Sequence, residues 1–484
     1  MGKKLGVLCH VSSLLSKYGI GDFGESARNF IDFLSQNDFF IWQILPLNET
    51  NQYNCPYASK CFFSFDEMFV DPESLVSNYK IDMKELKTLR KLSKTKKVDY
   101  DKVKSEKRRL FNLAYQNLTQ EQLNDVQKFA DKHTHVFEYA YFKTLLDINA
   151  TQDWRTVDCQ YWNKREKEYA DFVEKHKQSI LRYVFAQSVL NQQWQKIRNY
   201  AKSKNITILG DLPIYPDPNS FDVFACPDAY QLDRKTFAPL VFGGVPKDDF
   251  CEHGQNWGTC VYDWEYLKNT KYKYLINKIA IMLERYDVLR LDHFFGYTEQ
   301  YEISAKNTLK GKWVRAGGND LFESIDAEIG LNNIVVEDLG FVKKEATKVR
   351  DKFDLKGMSV VQMVLESPSN LRYAPDNVDE NCIYYLGTHD NNTFLGFLRS
   401  LEKAKKLEFC NVMNIKHLGN KKILLESIRK MVNSKSNTVV FQIQDLLMQS
   451  GEYRMNVPGK AEKCWEYKVP KNYKKTLKRT LALI

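Results

Sequence analysis

No apolar stretch in these 484 residues approaches the roughly 20 residues that a membrane-spanning helix needs, which excludes a helical membrane protein. The ten cysteines are scattered, with no Cys-x-x-Cys pair and no framework of short spacings. A disulfide scaffold is thereby set aside, and reduced thiols in a cytoplasm are expected. There is neither an internal repeat nor a low-complexity linker. No metal-binding motif appears: His133 and His135 sit in a helical pattern without companion cysteines, which reads as ordinary surface. At the N-terminus Lys3 and Lys4 precede apolar residues, but His10, Ser12 and Ser13 cut the run short and no small-residue cleavage site follows. That segment is therefore expected to be a first strand rather than a signal peptide.

What is present is ordinary for an enzyme in bulk and uneven in detail. Hydrophobic residues make up 43% and charged residues 27%, the balance of a globular domain. The net charge of +10 is concentrated: Lys84 to Arg109 holds twelve Lys/Arg against four Asp/Glu, and Lys468 to Ile484 holds six against none. Those segments sum to +14 and leave −4 for the rest. The first run lacks interleaved aromatics and any nucleic-acid motif, so a solvated face is expected rather than a nucleic-acid site.

Eight apolar runs have strand character: Lys4 to Cys9, Phe39 to Leu47, Ile206 to Leu212, Val288 to Asp292, Ile334 to Glu337, Met358 to Val364, Ile383 to Gly387 and Val439 to Ile443. Several are nearly continuous rather than alternating, as parallel strands buried on both faces require. About 160 residues separate the second run from the third, far more than a loop spans, and they read as mainly helix. Leu190, Trp194, Ile197 and Ala201, for example, draw one apolar stripe along a helix. The expected fold is α/β: a (β/α)8 TIM barrel spanning 1–484, with a mainly helical inserted subdomain at 65–204. A second insertion at 213–265, rich in Gly, Pro and Asp, is expected as a loop region over the barrel mouth.

In such barrels functional groups gather at the C-terminal strand ends. Here those positions hold His10, Pro46, Asp211, Arg290 with Asp292 and His293, Glu337 with Asp338, His389 with Asp390, and Gln444 with Asp445. Arg290 and Asp292, two apart, leave one face of their strand side by side, and a fixed cation is expected to keep the carboxylate ionised. So many acids without a metal motif suit glycosyl chemistry, in which one carboxylate attacks the anomeric carbon and a protonated carboxyl serves the leaving oxygen. Each acid taken alone could equally be a helix cap or an ion-pair partner.

Nine segments, in order, carry a resemblance. They are His10-x-Ser12-Ser13-Leu14 with Tyr18-Gly19-Ile20-Gly21-Asp22, Trp42-Gln43-Ile44-Leu45-Pro46-Leu47, Pro56-Tyr57, Gly210-Asp211-Leu212-Pro213-Ile214 and Gly254-Gln255-Asn256-Trp257-Gly258. The series continues with Arg290-x-Asp292-His293-Phe294, Glu337-Asp338-Leu339-Gly340, Gly387-Thr388-His389-Asp390-Asn391 and Arg454-Met455-Asn456-x-Pro458-Gly459. Together they resemble the amylomaltase family, the bacterial and plastid 4-α-glucanotransferases of glycoside hydrolase family 77, along essentially the whole chain.

The resemblance implies retaining double displacement on α-1,4-glucans, with glucose or maltooligosaccharides as acceptors and neither cofactor nor metal. It implies Asp292 as nucleophile, Glu337 as general acid and then base, and Asp390 as the acid that grips the sugar hydroxyls in the transition state. Arg290 would keep Asp292 ionised and oriented. Tyr57, Asp211, Asp248, Phe250, Trp257, His293, His389 and Asn456 would bind substrate, although Tyr57, Phe250 and Trp257 could also be ordinary packing residues.

Three departures from the family pattern stand out: Asp249 before Phe250 where Tyr is usual, Phe295 where Arg follows Asp-His-Phe, and Thr259-Cys260 where Asn-Pro follows Trp-Gly. They bear on donor length, acceptor choice and the ratio of transfer to hydrolysis. No long extension precedes the first strand, which leaves no room there for an appended starch-binding module. Competing readings are a related α-glucan hydrolase and a non-catalytic glucan-binding protein. The second is disfavoured because a binder does not need the nucleophile.

Overall fold

In the computed structural model, which describes residues 3–158, 166–246, 254–308, 310–340, 344–417, 419–460 and 462–483, twelve strands form two sheets. In chain order they are β1 Lys4–Leu8, β2 Ile41–Gln43, β3 Thr207–Leu212, β4 Val241–Val245, β5 Gln255–Cys260 and β6 Val288–Leu291. The remainder are β7 Glu299–Ser304, β8 Gly311–Arg315, β9 Ile334–Val336, β10 Gly357–Val360, β11 Cys382–Tyr385 and β12 Thr438–Gln442.

All eight apolar runs become strands of one parallel sheet, in the order β10-β11-β12-β1-β2-β3-β6-β9. The two ends meet at a parallel bridge between Val335 and Lys356, where Val336 N donates to Lys356 O at 2.9 Å, and the sheet closes into a barrel. Strands covered on both sides have no polar face to alternate with: every residue of β2, β9, β10, β11 and β12 is buried. Across the interior, Tyr385 Oη of β11 donates to Gln43 Oε1 of β2 at 2.9 Å. Outside β3, a β carbon on Gly210 would stand 2.1 Å from the Tyr286 ring. Glycine is thus what lets the chain entering β6 press against β3.

Between β2 and β3 lie the helices Pro72–Asn78, Lys87–Leu92, Tyr100–Gln116, Gln120–Lys132, Thr134–Ile148, Glu166–Lys175 and Lys177–Ser203. Their starts are written locally: Asp71, Asp99 and Thr119 each cap the next helix through the side chain, and Thr119 with Gln122 closes a capping box. The stripe Leu190, Trp194, Ile197 and Ala201 is buried as expected. The same helix is also buried on every side from Ile180 to Leu190. The polar residues in that stretch are satisfied, since Arg182 pairs with Glu67 and Gln187 exchanges hydrogen bonds with the main chain of Phe65 at 2.8 and 2.9 Å.

The 213–265 segment carries β4 and β5, which join β7 and β8 in an antiparallel sheet of order β5-β4-β7-β8. Its periodicity is weak because the strands are short, glycine-bearing and bulged between Phe242 and Gly244. Within the basic run Lys84 to Arg109, Lys84 pairs with Asp82, Lys97 with Glu466, Lys102 with Asp99, Lys104 with Asp66, and Arg109 with Glu85 and Glu106. His135 packs edge-on to Phe63 with centroids 4.7 Å apart. Among the described residues no helix is long and apolar enough to cross a membrane.

Candidate active site

Register places the first pieces. Asp211 of β3 stands beside Arg290 of β6, so both project from neighbouring strands at the C-terminal mouth. Arg290 Nη1 donates to both oxygens of Asp211, at 2.8 Å each, and to Asp292 Oδ1 at 2.9 Å. The Arg290 and Asp211 side chains are 4% and 0% exposed, whereas Asp292 is 22% exposed. One guanidinium therefore bridges an inner carboxylate that no ligand reaches and an outer one that faces the cleft. Tyr57 Oη completes the inner carboxylate by donating to Asp211 Oδ2 at 2.7 Å. With no exposed surface of its own, Asp211 meets a ligand only through Tyr57 and Arg290.

Glu337 follows β9 and lies against the residue next to Asp292. Its Oε2 accepts from His293 N at 2.8 Å and its Oε1 from Leu339 N at 3.2 Å. His293 can present its amide because its backbone is left-handed, φ 47° and ψ 60°, a conformation that costs a non-glycine residue about 1 kcal/mol or more. Phe294 N, donating to Glu337 O at 2.9 Å, holds the turn in place.

Burial sets the protonation of this pair. It pushes Asp292 up to about 7 and Glu337 up to about 8, with Arg290 opposing the rise in both. Arg290 opposes the rise without cancelling it, because withdrawal from water outweighs one cation that is shared with Asp211. The two titrate as a unit, and the guanidinium bonded to Asp292 makes it the carboxyl that gives up its proton first. Burial also depresses both histidines, His293 to about 4 with help from Arg290. Each is a neutral imidazole at pH 7, able to donate at one nitrogen and accept at the other.

Asp390 enters from the loop after β11. Its side chain is 46% exposed. Oδ1 accepts from Asn456 Nδ2 at 2.6 Å, Oδ2 lies 3.4 Å from His389 Nε2, and the main-chain oxygen accepts from Arg454 Nη2 at 2.7 Å. Aromatic rings line the walls. Tyr57 stacks on His389 at 5.0 Å and 6°, Trp465 leans on both at 5.9 Å, and Trp257 meets His293 edge-on at 4.9 Å. Arg290, Asp292, His293, Glu337, Asp211, Tyr57, Trp257, His389, Asp390 and Asn456 thus belong to one connected network of contacts at the barrel mouth. Asp248 and Phe250 lie outside the described residues.

Other strand-end residues serve the scaffold. His10 Nδ1 accepts from Leu45 N at 3.3 Å, Asp338 pairs with Arg350 and accepts from Met358 N, and Asp445 accepts from Phe394 N at 2.6 Å. Trp465 and the connecting role of Arg454 were not foreseen: both follow the last barrel strand, where no strand-end rule points. Of the unusual residues, Phe295, Thr259 and Cys260 are buried. Among the described residues no three His, Cys, Asp or Glu side chains gather as a metal site.

Comparison with known proteins agrees with this arrangement. The family model for 4-alpha-glucanotransferase matches residues 9–474. The 4-alpha-glucanotransferase of Aquifex aeolicus is 33% identical over 99% of this chain and 98% of its own, and that of Clostridium butyricum is 31% identical over 96% of both. In structure the chain is similar to the amylomaltase of Streptococcus agalactiae solved in complex with acarbose, with TM-score 0.92, 29% identity and coverage of 99% and 98%. The fold is shared with Corynebacterium glutamicum amylomaltase at TM-score 0.81 and 14% identity, over 99% of this chain and 75% of that one. With a parallel eight-stranded barrel, a carboxylate cluster at its mouth and relatives matched end to end, the chain belongs to the 4-alpha-glucanotransferase family, glycoside hydrolase family 77.

Proposed function

We propose that this protein transfers α-1,4-glucan segments from a donor to the 4-hydroxyl of an acceptor glucose or maltooligosaccharide, by retaining double displacement. The observation that carries the reading is the contrast between two adjacent carboxyls: Asp292 on a guanidinium and Glu337 on main-chain amides. In the first step an oxygen of Asp292 attacks the anomeric carbon. The glycosidic bond breaks, and the leaving oxygen takes the proton of Glu337. In the second step the acceptor hydroxyl attacks the same carbon, Glu337 takes the hydroxyl proton, and the bond to Asp292 breaks.

Asp390 grips the hydroxyls of the reacting sugar as positive charge develops on its ring, and neutral His293 and His389 hydrogen-bond the same sugar. Trp257 and Tyr57 offer flat apolar faces to glucose rings. Asp211 holds Arg290 in place, and Asn456 acts through the carboxylate of Asp390. Asp248 and Phe250 are proposed as further substrate contacts. The chemistry calls for no cofactor. The chain reads as one catalytic barrel, with 65–204 as a helical insertion and 213–265 as a second insertion beside the cleft. The eight described cysteines are all free thiols, which supports a reducing compartment such as the cytoplasm.

The test is incubation with maltotriose, products resolved by chain length and free glucose assayed. A ladder above maltotriose with glucose released is expected. Glucose and maltose alone would replace transfer by hydrolysis.

A further inference from the structure

The segment that follows β12 returns over the cleft, and Arg454 fastens it there. Its guanidinium lies between two carbonyls on different segments. Nη2 donates to the main-chain oxygen of Asp390 at 2.7 Å, and Nε donates to that of Asn456 at 2.6 Å. This brings the Asn456 amide against Asp390, with Nδ2 donating to Oδ1 at 2.6 Å. One residue between them, Met455, is buried and accepts from Trp465 N at 2.8 Å. Trp465 in turn rests on the Tyr57 and His389 rings. The Asp390 carboxylate is 46% exposed, so packing alone does not fix its rotamer; the Asn456 amide on Oδ1 does, with His389 Nε2 3.4 Å from Oδ2. The far side of the same loop is held separately, by Gln362 Nε2 on Asn392 O at 2.8 Å and by Asp445 on Phe394 N. Arg454 therefore governs the Asp390 side without being needed to fold the loop.

We infer that Arg454 is a positioning residue for transfer: by clasping the Asp390 and Asn456 carbonyls it sets the Asp390 carboxylate and the Trp465 wall against the reacting sugar. The inference rests on the glucan-transfer reading. A planar fork suits two carbonyls in a way a lysine ammonium does not.

Arg454→Ala, assayed on maltotriose, is expected to lose about 10²-fold in kcat, the scale of a displacement of about 1 Å at a reacting centre, with KM little changed. The rate on α-maltotriosyl fluoride should fall by the same factor, because Asp390 acts on the sugar rather than on the leaving group. Added guanidinium ion should restore activity. Asn456→Ala should behave alike, and the double variant should be no slower than the slower single. If Arg454→Ala does not fold, Arg454→Lys, which reaches one carbonyl, reads the same split. Unchanged kcat, a loss confined to KM, full additivity, or a fluoride rate left intact would each overturn the inference while the parent enzyme still converts maltotriose. A parent inactive on maltotriose and on amylose would instead remove the transfer reading, and the inference with it.

Discussion

Glu337→Gln separates the two carboxyls most directly. In the parent enzyme kcat/KM requires Asp292 ionised and Glu337 protonated, groups that burial pushes up to about 7 and about 8. The profile should be a bell. Activity rises with pH as Asp292 loses its proton and falls as Glu337 loses its own, with the two limbs close together because the pair titrates as a unit. Glutamine keeps the shape, but its single carbonyl oxygen can accept from His293 N or from Leu339 N and not from both, as the two carboxylate oxygens do, and it donates no proton to a departing sugar. On maltotriose the loss should be about 10²- to 10⁴-fold, the worth of a general acid. On α-maltotriosyl fluoride, whose leaving group needs no proton, the first step should survive. A burst of fluoride should precede slow turnover, because the acceptor hydroxyl then lacks its base. The descending limb at high pH should vanish and the ascending limb should remain. The assay is kcat/KM on maltotriose against pH in parent and variant, with fluoride release from α-maltotriosyl fluoride followed beside it. A variant that keeps both limbs, or loses as much on the fluoride as on maltotriose, would refute the assignment of Glu337 as the acid.

Asp292→Asn should abolish transfer on every donor, fluoride included, while its melting temperature at pH 8 should rise. The sign follows from linkage: burial lifts the folded-state pKa from 3.8 to about 7, so the folded protein binds that proton more tightly than the unfolded chain and loses stability as pH climbs through this window. The gain should shrink towards pH 4, and melts at both pH values check it; a variant less stable at pH 8 would contradict the burial argument. Asp211→Asn breaks a buried ion pair and should cost about 3 kcal/mol, read by denaturant unfolding. It should also move the ascending limb of kcat/KM to lower pH, because the Asp211 charge holds the Asp292 pKa up; a shift the other way would refute the coupling.

Much of this was legible in the chain itself. All eight barrel strands were visible because strands buried on both faces must be apolar throughout, and side-chain alternation fixed Arg290 and Asp292 on one side of their strand. The helix stripe of Leu190, Trp194, Ile197 and Ala201 followed from the same kind of local periodicity. The sheet of β4, β5, β7 and β8 was not legible: its strands carry glycines and a bulge, and β4 pairs with β7 across more than a barrel strand of intervening chain.

The remainder depended on contacts between residues far apart in sequence. Asp211 reads as a sugar ligand until the fold buries it under Arg290 and Tyr57. The contact of the Asn456 amide with Asp390 appears only in the fold, and Trp465 has no local signal at all. Charges follow the same division. The sequence determined which acids stand at the strand ends, since that needs only period and order. Tertiary structure decided their protonation, because the cost of removing a carboxylate from water is set by everything packed around it rather than by its neighbours in the chain.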